Sequence, residues 1–272
     1  MPIKDVFVLL DASTEAAGSY ALSVAPAFEA HLTAAAFVVD PTTMIGFAET
    51  PSAFLVAALD EARAASRQIL DAFVTKAQEA GWPVDAEAPE TAVNVMGPCF
   101  GEFARHFDLA IIEQPNPDVP SEREAAIEAA LFASGRPVLV VPYIHKAPLR
   151  LEEVLIAWDG SAAAARALGD ALPFLAKAKN VQVVSVVDGA EGVLTSGPRI
   201  VRHLARHGVA AKFHSLPGAD DPTDALLSYA ADSCADLLVM GGYGHSRFRE
   251  LVLGGATRGI LDTMTLPVLM AH

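Results

Sequence analysis

The chain has 272 residues, of which 52% are hydrophobic and 19% charged, and this composition excludes disordered, collagen-like and coiled-coil proteins. Its formal net charge of −14 argues against a nucleic-acid-binding surface, which needs clustered Lys and Arg. Glu29 and His31 interrupt the most apolar stretch, so it falls short of the roughly 18 apolar residues that a membrane span needs. We therefore expect a globular protein without a nucleic-acid or membrane partner.

The cysteines indicate the cellular location, and the charge distribution indicates which half of the chain would accept an anionic ligand. Cys99 and Cys234 lack the paired spacing of a disulfide framework or a zinc site, which favours a reducing, cytoplasmic location, and both are predicted to be small buried residues. Residues 1–145 carry 20 Asp and Glu against 7 Lys and Arg, whereas residues 146–272 carry 13 against 12. A polyanionic ligand would be repelled less by the second half of the chain.

The predicted elements alternate between strands and helices along the whole chain, and the strands are short, almost continuous apolar runs typical of a parallel sheet buried on both faces. In the first half, strands are predicted within 6–13, 32–39, 84–88, 107–115 and 136–141, and helices over 14–30, 52–80, 97–105 and 121–134. In the second half, strands are predicted within 154–161, 181–187, 210–216, 235–243 and 266–271, and helices over 162–177, 197–207, 224–233 and 256–263. Ser13, Ser121 and Ser161 are the expected N-caps.

Three apolar blocks recur in the same order in the two halves, which indicates a tandem duplication. Residues 6–13 match 154–161, and both blocks end in Asp-x-Ser; residues 107–115 match 235–243, and residues 136–141 match 266–271. The pattern predicts an α/β protein of two tandem, doubly wound, five-stranded parallel sheets, one in residues 1–145 and one in residues 146–272. Ligands of such sheets bind at the carboxyl ends of the strands.

A glycine-rich segment follows the fourth predicted strand of the second half. Gly241, Gly242 and Gly244 allow a sharp turn with close backbone approach, and Gly254-Gly255 stands before a helix that begins near Ala256. Free amides and the dipole of that helix would attract a phosphate. Positive charge is added nearby by four side chains: His245, Arg247, Arg249 and Arg258.

This segment resembles the ATP-binding branch of the universal stress protein family, whose signature is Gly, two residues, Gly, nine residues, Gly, then Ser or Thr. Gly241, Gly244 and Gly254 match that spacing, but Gly255 stands where the family has the hydroxyl residue, and Thr257 is its nearest substitute. The resemblance implies a Rossmann-like fold of the adenine nucleotide alpha hydrolase type in both halves. It also implies ATP, ADP or AMP as ligand, with Mg²⁺ held through the phosphates. The implied contacts are Asp159 and Val186 to the adenosine, Met240 and Gly241 beneath the nucleotide, and Gly244, Gly254, Gly255 and Ala256 to the phosphates.

The first half departs from this signature. Glu113 stands where the second half has Gly241, and Pro115, Pro117 and Pro120 lack the N–H groups that a phosphate loop donates. Asp11 corresponds to Asp159, and without a glycine loop it is expected to be a cap or turn residue. We interpret the first half as a degenerate copy that keeps the fold without nucleotide binding.

The leading hypothesis is a tandem universal stress protein that binds one adenine nucleotide in its second half and acts as a stress-response binding or regulatory module. An alternative is a slow ATPase or phosphotransferase, with Asp159 or His245 as base and Arg247 or Arg258 as phosphate clamp. A third is an interaction protein that binds no nucleotide, which Gly255 favours. The closing strands, 138–141 and 268–271, are expected to pair within the chain as an internal pseudo-dimer, and a homodimer of whole chains is also plausible. No dedicated catalytic residues and no metal-ligating side chains are predicted.

Overall fold

The computed structural model describes residues 2–40, 52–92, 95–119, 121–187, 191–217, 221–242 and 255–272. The chain folds into two compact units, an N-terminal unit, Ile3–Arg136, and a C-terminal unit, Pro137–His272 with the first two residues. The division comes earlier in the chain than the predicted boundary between residues 145 and 146. The reason is that the strand Val138–Val141 hydrogen-bonds to the last strand of the chain.

The N-terminal unit contains six strands and four helices among its described residues. In chain order these are β1 (Asp5–Leu9), α1 (Ala16–Phe28), β2 (His31–Ala35), β3 (Val38–Asp40), α2 (Ser52–Glu79), β4 (Val84–Glu87), β5 (Glu90–Ala92), α3 (Met96–Ala104), β6 (Leu109–Glu113) and α4 (Arg123–Ala129). A π-helical turn, Ala130–Ser134, continues α4. The strand order β6-β1-β2-β4 is parallel throughout, and β3 pairs with β5 as a separate parallel pair.

The C-terminal unit contains six strands and four helices among its described residues. They are β7 (Val138–Val141), β8 (Glu153–Ala157), α5 (Ala162–Leu175), β9 (Asn180–Val187), α6 (Glu191–Arg206), β10 (Ala211–Pro217), α7 (Pro222–Asp232), β11 (Leu237–Gly241), α8 (Gly255–Thr263) and β12 (Val268–Ala271). Strands β10-β9-β8-β11-β12 are parallel, and β7 pairs antiparallel with β12, Leu139 opposite Leu269. The predicted pairing of the two closing strands is confirmed.

The same side-chain contact ties the first and fourth predicted strands together in each unit. Asp108 accepts hydrogen bonds from the backbone N–H groups of Lys4 at 2.9 Å and Asp5 at 3.2 Å. Asp236 accepts the corresponding bonds from Glu152 at 2.8 Å and Glu153 at 3.0 Å. The predicted repeat therefore extends from the apolar pattern to individual polar contacts.

The cores of both units consist of the continuous apolar runs that predicted the strands. Residues 109–113 of β6 and 268–271 of β12 are buried at every position, because helices cover both faces of the sheet. In the N-terminal unit an aromatic group packs beneath the strands, with the Phe7 and Phe107 ring centroids 4.9 Å apart. Both rings are buried, so this packing forms part of the core of the N-terminal unit.

The predictions of helix N-caps and of buried cysteines are only partly met. Ser161 caps α5 as predicted, since its Oγ accepts from the N–H of Ala164 at 3.0 Å. Ser13 and Ser121 are not N-caps, because α1 begins at Ala16 after Glu15 and α4 begins at Arg123 after Glu122. Cys234 is exposed rather than buried, with φ +53 two residues after the end of α7, and Cys99 is half-buried.

Candidate functional site

The strand order of the C-terminal unit reverses between β8 and β11. From β8 the chain passes to β9 on one side, whereas β11 and then β12 lie on the other side. The helices that follow β8 and β11 diverge at such a point and leave a crevice outside the carboxyl ends of the two strands. Asp159 comes just after β8, and Gly241 is the last residue of β11, so both stand at this crevice.

The Asp-Gly-Ser segment after β8 forms a tight turn into α5. Asp159 Oδ1 accepts a hydrogen bond from the backbone N–H of Ser161 at 2.8 Å, and Gly160 has φ +80. The positive φ explains the glycine, because a side chain is strained in this conformation. The carboxylate of Asp159 is thereby fixed at an exposed position beside the crevice, while Trp158 before it is buried and donates from Nε1 to Ser196 at 2.9 Å.

Gly241 is a glycine because the first turn of α5 lies directly against it. A Cβ at this position would lie 2.5 Å from the backbone N of Ala164 and 2.7 Å from the carbonyl carbon of Ala163. Backbone atoms cannot move aside as the end of a flexible side chain can, so a larger residue would push the helix away from the strand. The close approach brings the end of β11 and the start of α5 together at the crevice.

The other predicted contact residues occupy three kinds of position. Val186 lies half-buried near the end of β9, and Met240 is buried at 7% exposure before Gly241. Gly255 and Ala256 begin α8, and Thr257 in the first turn of that helix is buried at 3% exposure. Four predicted site residues lie outside the described residues: Gly244, His245, Arg247 and Gly254.

The corresponding crevice of the N-terminal unit is identified by strand register. Val6 pairs with Leu109 as Val154 pairs with Leu237, so Asp11 corresponds to Asp159 and Glu113 corresponds to Gly241. Glu113 does not point to solvent, since only 3% of its side chain is exposed. Its Oε2 accepts hydrogen bonds from the backbone N–H groups of Glu15 and Ala17, both at 3.0 Å. A carboxylate thus satisfies the first turn of α1 and interacts favourably with its dipole.

Arg123 completes an ionic cluster at this crevice, although sequence reasoning did not single it out. The guanidinium group is buried at 2% exposure, and its Nη1 donates to Glu113 Oε1 at 2.9 Å and to the Gln114 carbonyl at 3.3 Å. Nε and Nη2 donate to the two carboxylate oxygens of Asp11 at 2.8 and 2.7 Å, a bidentate pair. Nη2 also donates to the hydroxyls of Ser13 at 2.8 Å and Thr14 at 3.1 Å.

The Asp11 turn is built around this guanidinium. Asp11 Oδ1 accepts from the N–H and the hydroxyl of Ser13, both at 2.8 Å, which confirms Asp11 as a turn residue. Burial by itself raises the pKa of the Asp11 carboxyl, but the hydrogen bonds from Arg123 and Ser13 outweigh it and hold the pKa below its usual value. The carboxylate that corresponds to Asp159 is therefore neutralised here by the chain itself.

Comparison with known proteins assigns the C-terminal part of the chain. The universal stress protein family model matches residues 151–272. These residues form a universal stress protein domain. Universal stress protein Slr1230 of Synechocystis is 30% identical over 152 residues, which cover 53% of this chain and 50% of that protein. The chain therefore spans about half the length of the curated relative that it matches.

Solved structures resemble this chain in fold over the N-terminal unit as well as over the universal stress protein domain. A universal stress protein from Archaeoglobus fulgidus aligns over 98% of this chain and 95% of its own, with a TM-score of 0.73 and 16% identity. A universal stress protein from Pseudomonas aeruginosa aligns over 99% of this chain and 93% of its own, with a TM-score of 0.62 and 18% identity. At these identities the likeness concerns the fold, and it confirms the predicted Rossmann-like α/β class for both units.

Metal-ligating clusters and membrane-spanning helices are absent from the described residues. In the parts of the chain that the structure describes, His, Cys, Asp and Glu side chains form no group of three or more suited to hold a metal ion. Within the same ranges, each helix is too short or too polar to cross a membrane.

Proposed function

We propose that the universal stress protein domain binds one adenine nucleotide, ATP or its relatives ADP and AMP, and acts as a binding or regulatory module in a stress response. The observation that carries the proposal is the reversal of strand order between β8 and β11, at which Asp159 and Gly241 both lie. Open α/β sheets bind ligands at this reversal of strand order. Magnesium would accompany the nucleotide through its phosphates.

The residues at the crevice are suited to bind a nucleoside. The exposed Asp159 carboxylate is an acceptor for ribose or adenine donors, and the half-buried Val186 offers an apolar surface to a base. Gly255 and Ala256 begin α8, whose N-terminal amides favour an anion. Met240 and Gly241 would lie beneath the ligand, and the glycine-loop residues Gly244 and Gly254 would donate further amides.

A single site per chain follows from the difference between the units. In the N-terminal unit Glu113 stands at the position that corresponds to Gly241, and Arg123 donates both to Glu113 and to Asp11. A nucleotide there would have to disrupt a hydrogen-bonded ion cluster in which Arg123 and Glu113 are buried, which is costly. We further propose that the protein is cytoplasmic and that it forms homodimers. Light scattering would test the oligomeric state.

The test is the nucleotide content of freshly purified protein, released by denaturation, identified by mass spectrometry and counted per chain. We expect close to one adenine nucleotide per chain, and two per chain would contradict the single site. Asp159→Ala should lower ATP affinity about tenfold, since it removes a hydrogen bond to a charged group. Asp232→Ala, at an exposed position on α7, is the matched control and should leave the affinity unchanged.

Substitutions in the glycine loop provide a second, independent test of ATP binding. Gly244→Val and Gly254→Val should each weaken ATP binding, because a side chain blocks close backbone approach to a phosphate. Retention of full ATP affinity in both variants would refute the proposal. If no nucleotide is bound even after addition of Mg·ATP, the protein instead acts through its surfaces.

A further inference from the structure

A cavity of about 300 Å³ opens at the carboxyl end of β1 and beside β3 in the N-terminal unit. It lies outside the universal stress protein domain and is independent of the function proposed above. Its apolar lining consists of seven side chains: Leu9, Leu10, Ala12, Phe37, Val39, Met96 and Val119. Asp11, Ser13, Ser121, Glu122 and Arg123 provide the polar part of the wall. An apolar lining with a few polar groups at one side is the usual composition of a small-molecule site.

The polar wall of this cavity is negative rather than positive. Each nitrogen of the Arg123 guanidinium donates to acceptors of the protein itself, two of them carboxylates, so its charge is more than compensated. The backbone N–H and the hydroxyl of Ser13 both donate to Asp11. Glu122 adds a further carboxylate at an exposed position on the wall. An anion entering the cavity would meet carboxylates and no uncommitted cation among the described lining residues.

We propose that this cavity binds a small apolar molecule that is neutral or carries one positive charge, and that it excludes anions. The volume indicates the size, because a cavity of roughly 150 Å³ accommodates benzene, so about 300 Å³ accommodates two fused rings. The apolar side chains would contact the rings, and the Asp11 and Glu122 carboxylates would accept from an ammonium or hydroxyl group. The first half of the chain would thus have replaced anion binding with binding of a different ligand class at the same end of its sheet.

The test uses three probes that share one naphthalene ring and differ in charge: 1-naphthylmethylamine, 1-naphthylmethanol and 1-naphthoate. Binding to the full chain is measured by calorimetry at neutral pH, where the amine is protonated and the carboxylate is ionised. We expect the amine and the alcohol to bind, and naphthoate to bind at least about tenfold more weakly, because carboxylates a few ångströms away repel it. Equal or tighter binding of naphthoate would overturn the proposal, as would no binding of any probe at about 1 mM.

Two pairs of variants locate the site. Met96→Trp fills the cavity and should weaken amine binding about tenfold, since it removes the space in which the rings pack, whereas Val95→Trp, exposed and outside the lining, should not. Glu122→Lys should reduce the preference for the amine over naphthoate, and Glu124→Lys, exposed two residues later in the first turn of α4 and outside the lining, should retain it. Amine affinity unchanged by Met96→Trp in a protein with wild-type circular dichroism would refute the assignment.

The Glu122 pair decides the question if Met96→Trp fails to fold, because both glutamates are exposed. A charge preference that Glu122→Lys leaves unchanged would then overturn the proposal. Nucleotide content is counted in the same samples. Since the cavity and the proposed nucleotide site lie in different units, amine binding without bound nucleotide, or nucleotide without amine binding, shows which of the two proposals has failed.

Discussion

Replacing Arg123 by methionine tests the ionic cluster of the N-terminal unit most directly. Methionine keeps the length of the side chain but removes six hydrogen bonds, to Asp11, Glu113, Gln114, Ser13 and Thr14. Glu113 would be left with 3% of its side chain exposed and no counter-charge. Removing one partner of a buried ion pair costs about 3–5 kcal/mol of unfolding free energy, and we expect Arg123→Met to fall in this range.

The two tryptophans allow the effect to be assigned to one unit. Trp82 lies in the N-terminal unit and Trp158 in the C-terminal unit, so in a Trp158→Phe background urea unfolding monitored by fluorescence follows the N-terminal unit. Arg136→Met is the control, because Arg136 is 36% exposed and its ion pair with Asp108 is 3.6 Å long. Exposed pairs contribute at most about 1 kcal/mol, so the control should unfold nearly as the parent protein does.

A second variant separates lost charge compensation from lost packing. Adding Asp11→Asn and Glu113→Gln to Arg123→Met removes the two uncompensated charges and should restore at least half of the lost stability. The reasoning would be refuted if Arg123→Met cost no more than Arg136→Met. It would also be refuted if the triple variant were less stable than Arg123→Met alone, because the cost would then come from packing.

Three further results are expected. Hydrogen bonds from Arg123 outweigh the effect of burial and hold the pKa of Asp11 in the folded protein below 3.8. The ionised Asp11 carboxylate therefore stabilises the fold fully above pH 3.8, and this stabilisation is lost as the pH falls through the folded pKa. Urea midpoints of the N-terminal unit should accordingly fall more steeply in acid for the parent protein than for Asp11→Asn. Gly241→Ala should destabilise the C-terminal unit by about 1–3 kcal/mol through overpacking against α5. Gly169→Ala places its Cβ more than 4 Å from the non-local atoms of the described residues and should stabilise the unit by about 0.5–1 kcal/mol. Ser161→Ala should cost about 1 kcal/mol in thermal unfolding, because it removes the N-cap of α5.

The fold was largely predictable because its inner strands are buried on both faces. A strand such as Leu109–Glu113 must be apolar at nearly every position, and this requirement leaves a run that helices and loops rarely match. Helix starts were harder to predict. The hydroxyl of Ser13 is an adequate N-cap in isolation, but it donates to Asp11 and accepts from Arg123, and α1 begins only at Ala16. Local capping rules cannot anticipate a partner more than a hundred residues away in sequence.

The candidate site was predictable where backbone geometry determines the residue type. Gly160 and Gly241 are required by a positive φ and by the approach of α5, and both constraints leave a glycine in the sequence. The Arg123 cluster leaves no such signal, because a lone arginine at the start of a polar helix resembles a solvated residue. The clue was Glu113, a charged residue at the end of a fully buried strand, which needs a counter-charge somewhere in the fold.

The two units answer the same structural requirement in different ways. In each unit the first turn of a helix packs against the end of a strand, β6 in the N-terminal unit and β11 in the C-terminal unit. The helix amides there need hydrogen-bond acceptors, and the buried strand end needs a neighbour that fits against it. In the N-terminal unit, Glu113 accepts from the amides of α1, and Arg123 compensates its charge. In the C-terminal unit, Gly241 lets the backbone of α5 approach within a distance that no side chain tolerates, and Ser161 caps the helix. The arrangement in the N-terminal unit is complete without a ligand, and its carboxylates repel an anion. The arrangement in the C-terminal unit has neither a charge nor a side chain at Gly241, and the exposed Asp159 carboxylate lies beside the crevice. Converting Glu113 to glycine would therefore not create a nucleotide site, because Arg123 and Asp11 would remain paired across it.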